Sequence, residues 1–186
     1  MKALLKKLGF KRYDPVAQAL YQAAVTAARN EKYYTLWGVP DTVDGRFDMI
    51  SLMVTLINRR IGLSNPKNIA RIQDLAQELF DVMFKDIDIN LRELGVSDEG
   101  MKHRIKPMAS AHLGRVKAYT DVLGLVDEGD RLTQLTEALV RNIYRTVDDT
   151  SGAEALAART IELSMELDGV PDEDILNGRF AFKNRD

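Results

Sequence analysis

The chain has 186 residues, 45% of them hydrophobic and 29% charged, with a net charge of −2 and no cysteine. That length suits a single domain, 1–186, able to bury roughly 70% of its unfolded surface without a metal or disulfide staple. The missing cysteines exclude disulfides, thiolate metal sites and cysteine nucleophiles, and the balanced charge argues against a general binder of DNA or other nucleic acid.

Residues 1–13 form a basic arm, in which Lys2, Lys6 and Lys7 surround Leu4, Leu5 and Leu8 without a single acid. Its apolar run is too short for a signal peptide, and no later segment offers the roughly 20 continuous apolar residues of a membrane span. The arm reads either as a short helix touching anionic lipid or another acidic surface, or as a solvated basic terminus. A helical body is expected over 14–168. Asp14 before Pro15 is a cap followed by a ring suited to the first helical position. Val16, Leu20, Ala23, Ala24 and Ala27 then mark a core face ending near Asn30. An aromatic loop follows, with Tyr33, Tyr34 and Trp37 held by Gly38 and Pro40. It leads into the most apolar stretch of the chain. There Phe47, Ile50, Val54, Ile57 and Ile61 define one helix face and Met49, Leu52, Met53, Leu56 and Leu63 a second, as expected of a central helix packed all round.

Ser64, Asn65 and Pro66 repeat the cap-then-proline signal and open a third helix, whose apolar stripes run from Ile69 to Leu94 and stop at Gly95. Ser97 caps a fourth, with Met101, Ile105, Met108, His112, Val116, Tyr119 and Leu123 inward, and Lys102, His103, Arg104, Lys106, Arg115 and Lys117 as a solvent-facing basic stripe. Pro107 predicts a bend or interruption near Lys106. Two more helices follow, one carrying Leu132 to Val147 and one Leu156 to Leu167, with Asp148 to Gly152 as the turn. Gly169 and Pro171 end the last helix. The remaining tail, 169–186, carries Ile175, Leu176, Phe180 and Phe182, apolar enough to dock back on the body. With no sustained period-two alternation, the fold class is all-α: a single-domain bundle of about six main helices.

The motifs that carry chemistry are missing. His103 and His112 stand on different faces of one helix; the second reads as a core histidine and the first as solvated. Asp86, Asp88 and Asn90 mimic the opening of a calcium loop, but Leu91 and Ser97 occupy the positions that need Gly and Glu. There is no phosphate loop, nucleophile elbow or di-metal Glu-x-x-His pair. No cofactor, metal or catalytic site is therefore expected. What remains is contact surface, since Tyr, Trp and Met suit protein partners. The Tyr-Tyr-x-x-Trp segment itself reads either as an exposed groove or as a core plug.

Three separated stretches, YYTLWGVPDTVDGRFDMISL, ELFDVMFKDIDINLRELGVSD and GRVKAYTDVL, together resemble the ubiquinol-cytochrome c chaperone family over roughly Tyr33 to Leu123. The resemblance implies an all-helical, non-enzymatic assembly factor for the cytochrome bc1 complex, binding newly made cytochrome b at the ribosome and membrane surface, in some relatives with a small partner subunit. It implies partner-binding roles for Tyr34, Trp37, Pro40, Asp41 and Phe47 in the first motif, Phe80, Phe84, Asp86 and Arg92 in the second, and Arg115 and Tyr119 in the third; Tyr33, of the same aromatic segment, is a further partner-binding candidate. Lys2, Lys6, Lys7, Lys102, Arg104 and Lys106 are candidates for contact with the ribosome or an anionic membrane. Mitochondrial relatives tend to show His-Val-Trp where this chain has Met53, Val54 and Thr55. They also carry a long targeting extension, so a bacterial form working in the cytoplasm, peripheral to the inner membrane, is expected. The alternatives are a helical adaptor for a soluble partner, and a small-molecule or lipid-binding protein with the aromatic loop as a pocket mouth.

Overall fold

The computed structural model describes residues 13–183. Within them the regular structure is entirely helical: α1 (Pro15–Ala28), α2 (Glu31–Thr35), α3 (Val43–Gly62), a 3₁₀ turn (Pro66–Asn68), α4 (Ile69–Glu93), α5 (Asp98–Leu123), α6 (Glu128–Asn142), α7 (Ala153–Asp168) and α8 (Asp172–Leu176). The basic arm with Lys2, Lys6 and Lys7 lies outside the described residues.

Local chemistry sets most of the boundaries. The side chains of Asp14, Asn65 and Ser97 accept from the backbone N–H groups of Val16, Lys67 and Gly100, so each expected cap is made. Gly95 has φ +82°, and its N–H bonds the Arg92 carbonyl while Val96 N–H bonds that of Leu91. This paired closure needs a left-handed residue, which glycine adopts without strain. Leu63 and Leu94 fall on the caps of α3 and α4 and are exposed rather than part of the inner stripes, as is Ile69.

Helix α3 is the core of the bundle, packing on α1, α4, α5, α7 and α8. Met49, Leu52, Met53, Val54, Leu56, Ile57 and Ile61 are all sealed from solvent. At its C-terminal end Arg60 is buried. Its Nε reaches the carbonyls of Leu167 and Val170, both at 3.1 Å, and its Nη2 reaches Asp172 at 2.7 Å. One guanidinium thus caps α7 and ties the tail helix α8, with Ile175 and Leu176 inside, to the body.

Three expectations need correction. Tyr33 and Tyr34 sit on the one-turn helix α2 rather than in a loop, because Asn30 caps a fresh turn by accepting from Lys32 N–H. Helix α6 stops at Asn142, short of Val147: Tyr144 turns inward to donate to the Trp37 carbonyl at 2.7 Å and Arg145 reaches Asp48, so tertiary bonds pull the chain out of helix. Helix α5 runs through Pro107 as one element, the ring lying at an exposed position.

Candidate functional site

The polar residues of α3 reveal how the site is built. Asp48, Ser51 and Thr55 recur at three- and four-residue steps in an otherwise apolar helix, and all are buried. Asp48 and Ser51 face antiparallel α5, where Ser51 Oγ lies 2.8 Å from His112 Nδ1 and Asp48 Oδ1 lies 2.8 Å from Arg115 Nη2, while the Thr55 hydroxyl donates to the Ser51 carbonyl of its own helix at 2.7 Å. Arg145, on the segment after α6, holds the other Asp48 oxygen. Two guanidinium groups therefore share one carboxylate whose side chain is 1% exposed, one of them, Arg115, at 6% and the other, Arg145, at 36%. Burial pushes the Asp48 carboxyl up to about 6 even against the pull of Arg115 and Arg145. Burial, with Arg115 adding its charge, pushes His112 down to about 4, so the imidazole is neutral at pH 7.

Around this stripe the three motifs converge. Phe47 meets Phe84 edge-on at 6.4 Å, Phe80 packs on Phe84 at 4.6 Å, and both approach His112. The Arg115 guanidinium lies 5.5 Å from the Phe47 ring centre. Arg115 is thus interior rather than part of a solvent-facing stripe. Tyr119 is also fully buried. Asp86 accepts from the Tyr21 hydroxyl at 2.7 Å and so joins α1 to α4, while exposed Arg92 pairs with Asp88 at 3.0 Å and with Asp98.

The aromatic segment is largely a core plug. Tyr33 is 4% exposed, and its ring lies 5.4 Å from that of half-buried Trp37. Tyr34 donates to the Ala28 carbonyl at 2.8 Å, and burial pushes its hydroxyl up to about 12. A Cβ on Gly152 would stand 2.2 Å from the Trp37 carbonyl oxygen, so only glycine lets the start of α7 approach. Exposed surface here comes instead from Leu36, 69% exposed, and from the ion pair of Asp41 with Arg46 at 2.6 Å.

Beside the plug lies an open cleft of about 440 Å³. It is lined by Pro40, Val43, Gly45 and Asp48 at the start of α3, Arg104 of α5, and Ile143 and Arg145 beyond α6. Pro40 and Arg104 are residues the sequence singled out; Val43, Asp48 and Arg145 are not. Exposed Val43 adds apolar area to the lining, and Arg104 with Lys106 adds positive charge on α5. The Lys102 side chain is outside what the structure describes. Exposed Asp44 and buried Asp48 set two carboxylates against Arg104 and Arg145 in the same lining, so the cleft offers apolar area with charge of both signs. Among the described residues, no cluster of three or more His, Asp or Glu is placed to hold a metal, and no helix is long and apolar enough to cross a membrane.

An all-helical body around one buried central helix, with a cleft of mixed apolar and charged lining at that helix's start, defines a single-domain helical bundle. The match to the family described as ubiquinol-cytochrome C chaperone spans residues 35–182, and the chain belongs to that family. The fold is similar to the crystal structure of the Cbp3 homolog from Brucella abortus, with TM-score 0.77 and 33% identity over 99% of this chain and 97% of that one. Comparison with curated proteins gave no match.

Proposed function

We infer that the protein is a non-enzymatic assembly chaperone that holds newly made cytochrome b and hands it on to the ubiquinol-cytochrome c reductase complex. The observation that carries the reading is the family match across residues 35–182, joined to a shared fold over nearly the whole chain. The cleft at Pro40, Val43, Arg104 and Arg145 is the proposed client surface. Apolar spans awaiting insertion expose area that costs about 25 cal/mol per Å² in water, so covering even part of it holds the client. The small size of the cleft and the exposure of its rim suit release. Arg104 and Lys106 would steer the complex to an anionic membrane or the ribosome, a contribution that salt weakens. The working place is then the cytoplasmic side of the inner membrane, with or without a small partner subunit.

The test is a deletion strain complemented with photo-crosslinking variants. Loss of the gene should lower bc1-type b-haem absorbance without changing transcript levels. A photoreactive group at Val43 should capture cytochrome b, while one at exposed Met165 on α7 should not. Normal b-haem in the deletion strain would refute the reading, and capture at Met165 alone would refute the cleft.

A further inference from the structure

Helix α1 is composed like an interior helix but has an open outer face. None of its 14 residues is charged, in a chain where 29% are. Yet Ala19, Gln22 and Thr26 are exposed, with Ala23 half-buried beside them. A surface helix ordinarily turns charged residues outward, whereas one that lacks them all round is covered. The outer face is also concave. Ala19, Ala23 and Ala27 form the floor of a groove of about 250 Å³, and Phe180 and Phe182 of the tail are one wall of it. Those rings meet edge-on at 4.9 Å and pack on the core, so the wall is fixed while the floor stays open to solvent.

The other flank of α1 is acidic. Two residues seven apart hold it to α4, Asp14 by its ion pair with Arg71 and Tyr21 by donating to Asp86 at 2.7 Å. Between those anchors on α4, Asp74, Glu78 and Asp81 recur at steps of four and three and so share one side of that helix. Asp74 is exposed and the other two are half-buried. An occupant of the groove therefore meets small apolar side chains beneath it, aromatic rings on one side and carboxylates on the other.

Residues 1–12, outside the described part of the chain, have the matching chemistry. They carry Lys2, Lys6, Lys7, Lys11 and Arg12 without an acid, and the spacing of Leu4, Leu5 and Leu8 puts all three on one side of a helix. Gly9 is a helix stop, and residues 10–14 are a connection short enough to return one helix antiparallel on the next. In that register Leu8 falls level with Ala19, and Leu4 and Leu5 with Ala23. Eight residues at about 1.5 Å each also span the distance from Ala19 to Ala27.

We propose that residues 1–12 fold back on α1 as a helical hairpin, with Leu4, Leu5 and Leu8 in the groove beside Phe180 and Phe182 and the lysines over the acidic row of α4. Tethering gives the arm an effective concentration on the order of millimolar, so a contact too weak to hold a free peptide still forms. Seated there, the leucines are withheld from lipid. The inference does not depend on which client the protein holds.

The absence of native cysteine allows a direct test in the whole chain. Ala23→Cys places one thiol on the groove floor, and its rate of maleimide labelling reports cover. Labelling should be slow, and adding Leu4→Glu, Leu5→Glu and Leu8→Glu should speed it about tenfold, as when a locally closed segment is opened. The urea transition of the bundle should persist, since these substitutions lie outside it. Lys2→Glu, Lys6→Glu and Lys7→Glu together should also speed labelling at low salt. Thr26→Cys serves where Ala23→Cys disturbs α1. A short bis-maleimide should join Leu5→Cys to Ala23→Cys within one chain, but not Leu5→Cys to Lys117→Cys on α5. A labelling rate unchanged by the leucine substitutions, or equal crosslinking to both positions, would overturn the proposal. Protection that disappears on dilution would assign the groove to a second copy and overturn it as well.

Discussion

Replacing Arg115 with Met tests the buried charge cluster most directly. The side chain keeps its apolar bulk against Phe47 but leaves Asp48, 1% exposed, with Arg145 as its remaining guanidinium. Removing one partner of a buried pair costs about 3–5 kcal/mol. Here the lower end, about 3 kcal/mol, is expected, because Arg145 stays and because Nε and Nη1 of Arg115 are already buried without hydrogen-bond partners. The cost must depend on pH. Asp48 already titrates near 6, above the usual carboxylate value, so its favourable contribution is full below about pH 4 and lost as pH rises through 6. Losing Arg115 moves that upper limit higher. The variant should therefore approach the parent as pH falls from about 8 to 5, by up to about 1.4 kcal/mol per unit across the window. Urea unfolding followed by far-UV circular dichroism at both pH values measures this, and Asp48→Asn with Arg115→Met should return to within about 1 kcal/mol of the parent. A loss below about 1 kcal/mol at high pH, or one that does not change with pH, would refute the coupling between these two residues.

His112 gives the opposite sign. Its value falls from 6.5 to about 4 on folding, so it contributes about 3 kcal/mol that is present above pH 6.5 and lost as pH drops through 4; His112→Asn should remove this acid-side loss, read as a flatter stability profile in urea. Gly152→Ala should cost at least about 1–3 kcal/mol, since its Cβ meets the Trp37 carbonyl, and should shift the emission of the single tryptophan. Arg104→Glu with Lys106→Glu leaves the core untouched and should weaken binding to anionic vesicles by roughly 1 kcal/mol per residue at low salt, with the difference closing as salt is raised.

What was legible in the sequence is what local chemistry decides. The caps at Asp14, Asn65 and Ser97, the stop at Gly95 and the all-round burial of α3 follow from residue types and spacing within one or two turns. The cluster at Asp48 was not legible in the same way, because nothing in α3 alone says which helix will face it. Arg115, read beside Lys117 and Arg104, looked like part of a solvated stripe; it is interior because α5 is turned so that His112 and Arg115 meet Ser51 and Asp48 of α3, with Tyr119 buried one turn further on. A signal was present all the same: Asp48, Ser51 and Thr55 interrupt the most apolar helix at helical spacing, and a polar stripe there requires a polar partner. The early end of α6 was hidden for the same reason, since the bond from Tyr144 to the Trp37 carbonyl joins residues far apart in sequence.

The motifs that mark the family therefore divide by role. Tyr33, Trp37, Phe47, Arg115 and Tyr119 are specified by the fold: Tyr33 and Trp37 pack at the entry to α3, Arg115 against Phe47 joins α3 to α5 and holds Asp48, and Tyr119 is sealed in the core. Their rings and charges are mostly spent inside, so the client surface proposed above falls to the residues they position, Pro40, Val43, Arg104 and Arg145, with exposed Leu36 on the same entry segment. A chaperone that must release its client has reason to be arranged so, because a rigid interior keeps the shape of the cleft while a shallow, partly charged rim keeps the grip weak. Substitutions at the buried set should consequently act through stability and those at Val43 or Arg104 through binding, while Arg145, which both holds Asp48 and lines the cleft, should affect the two together.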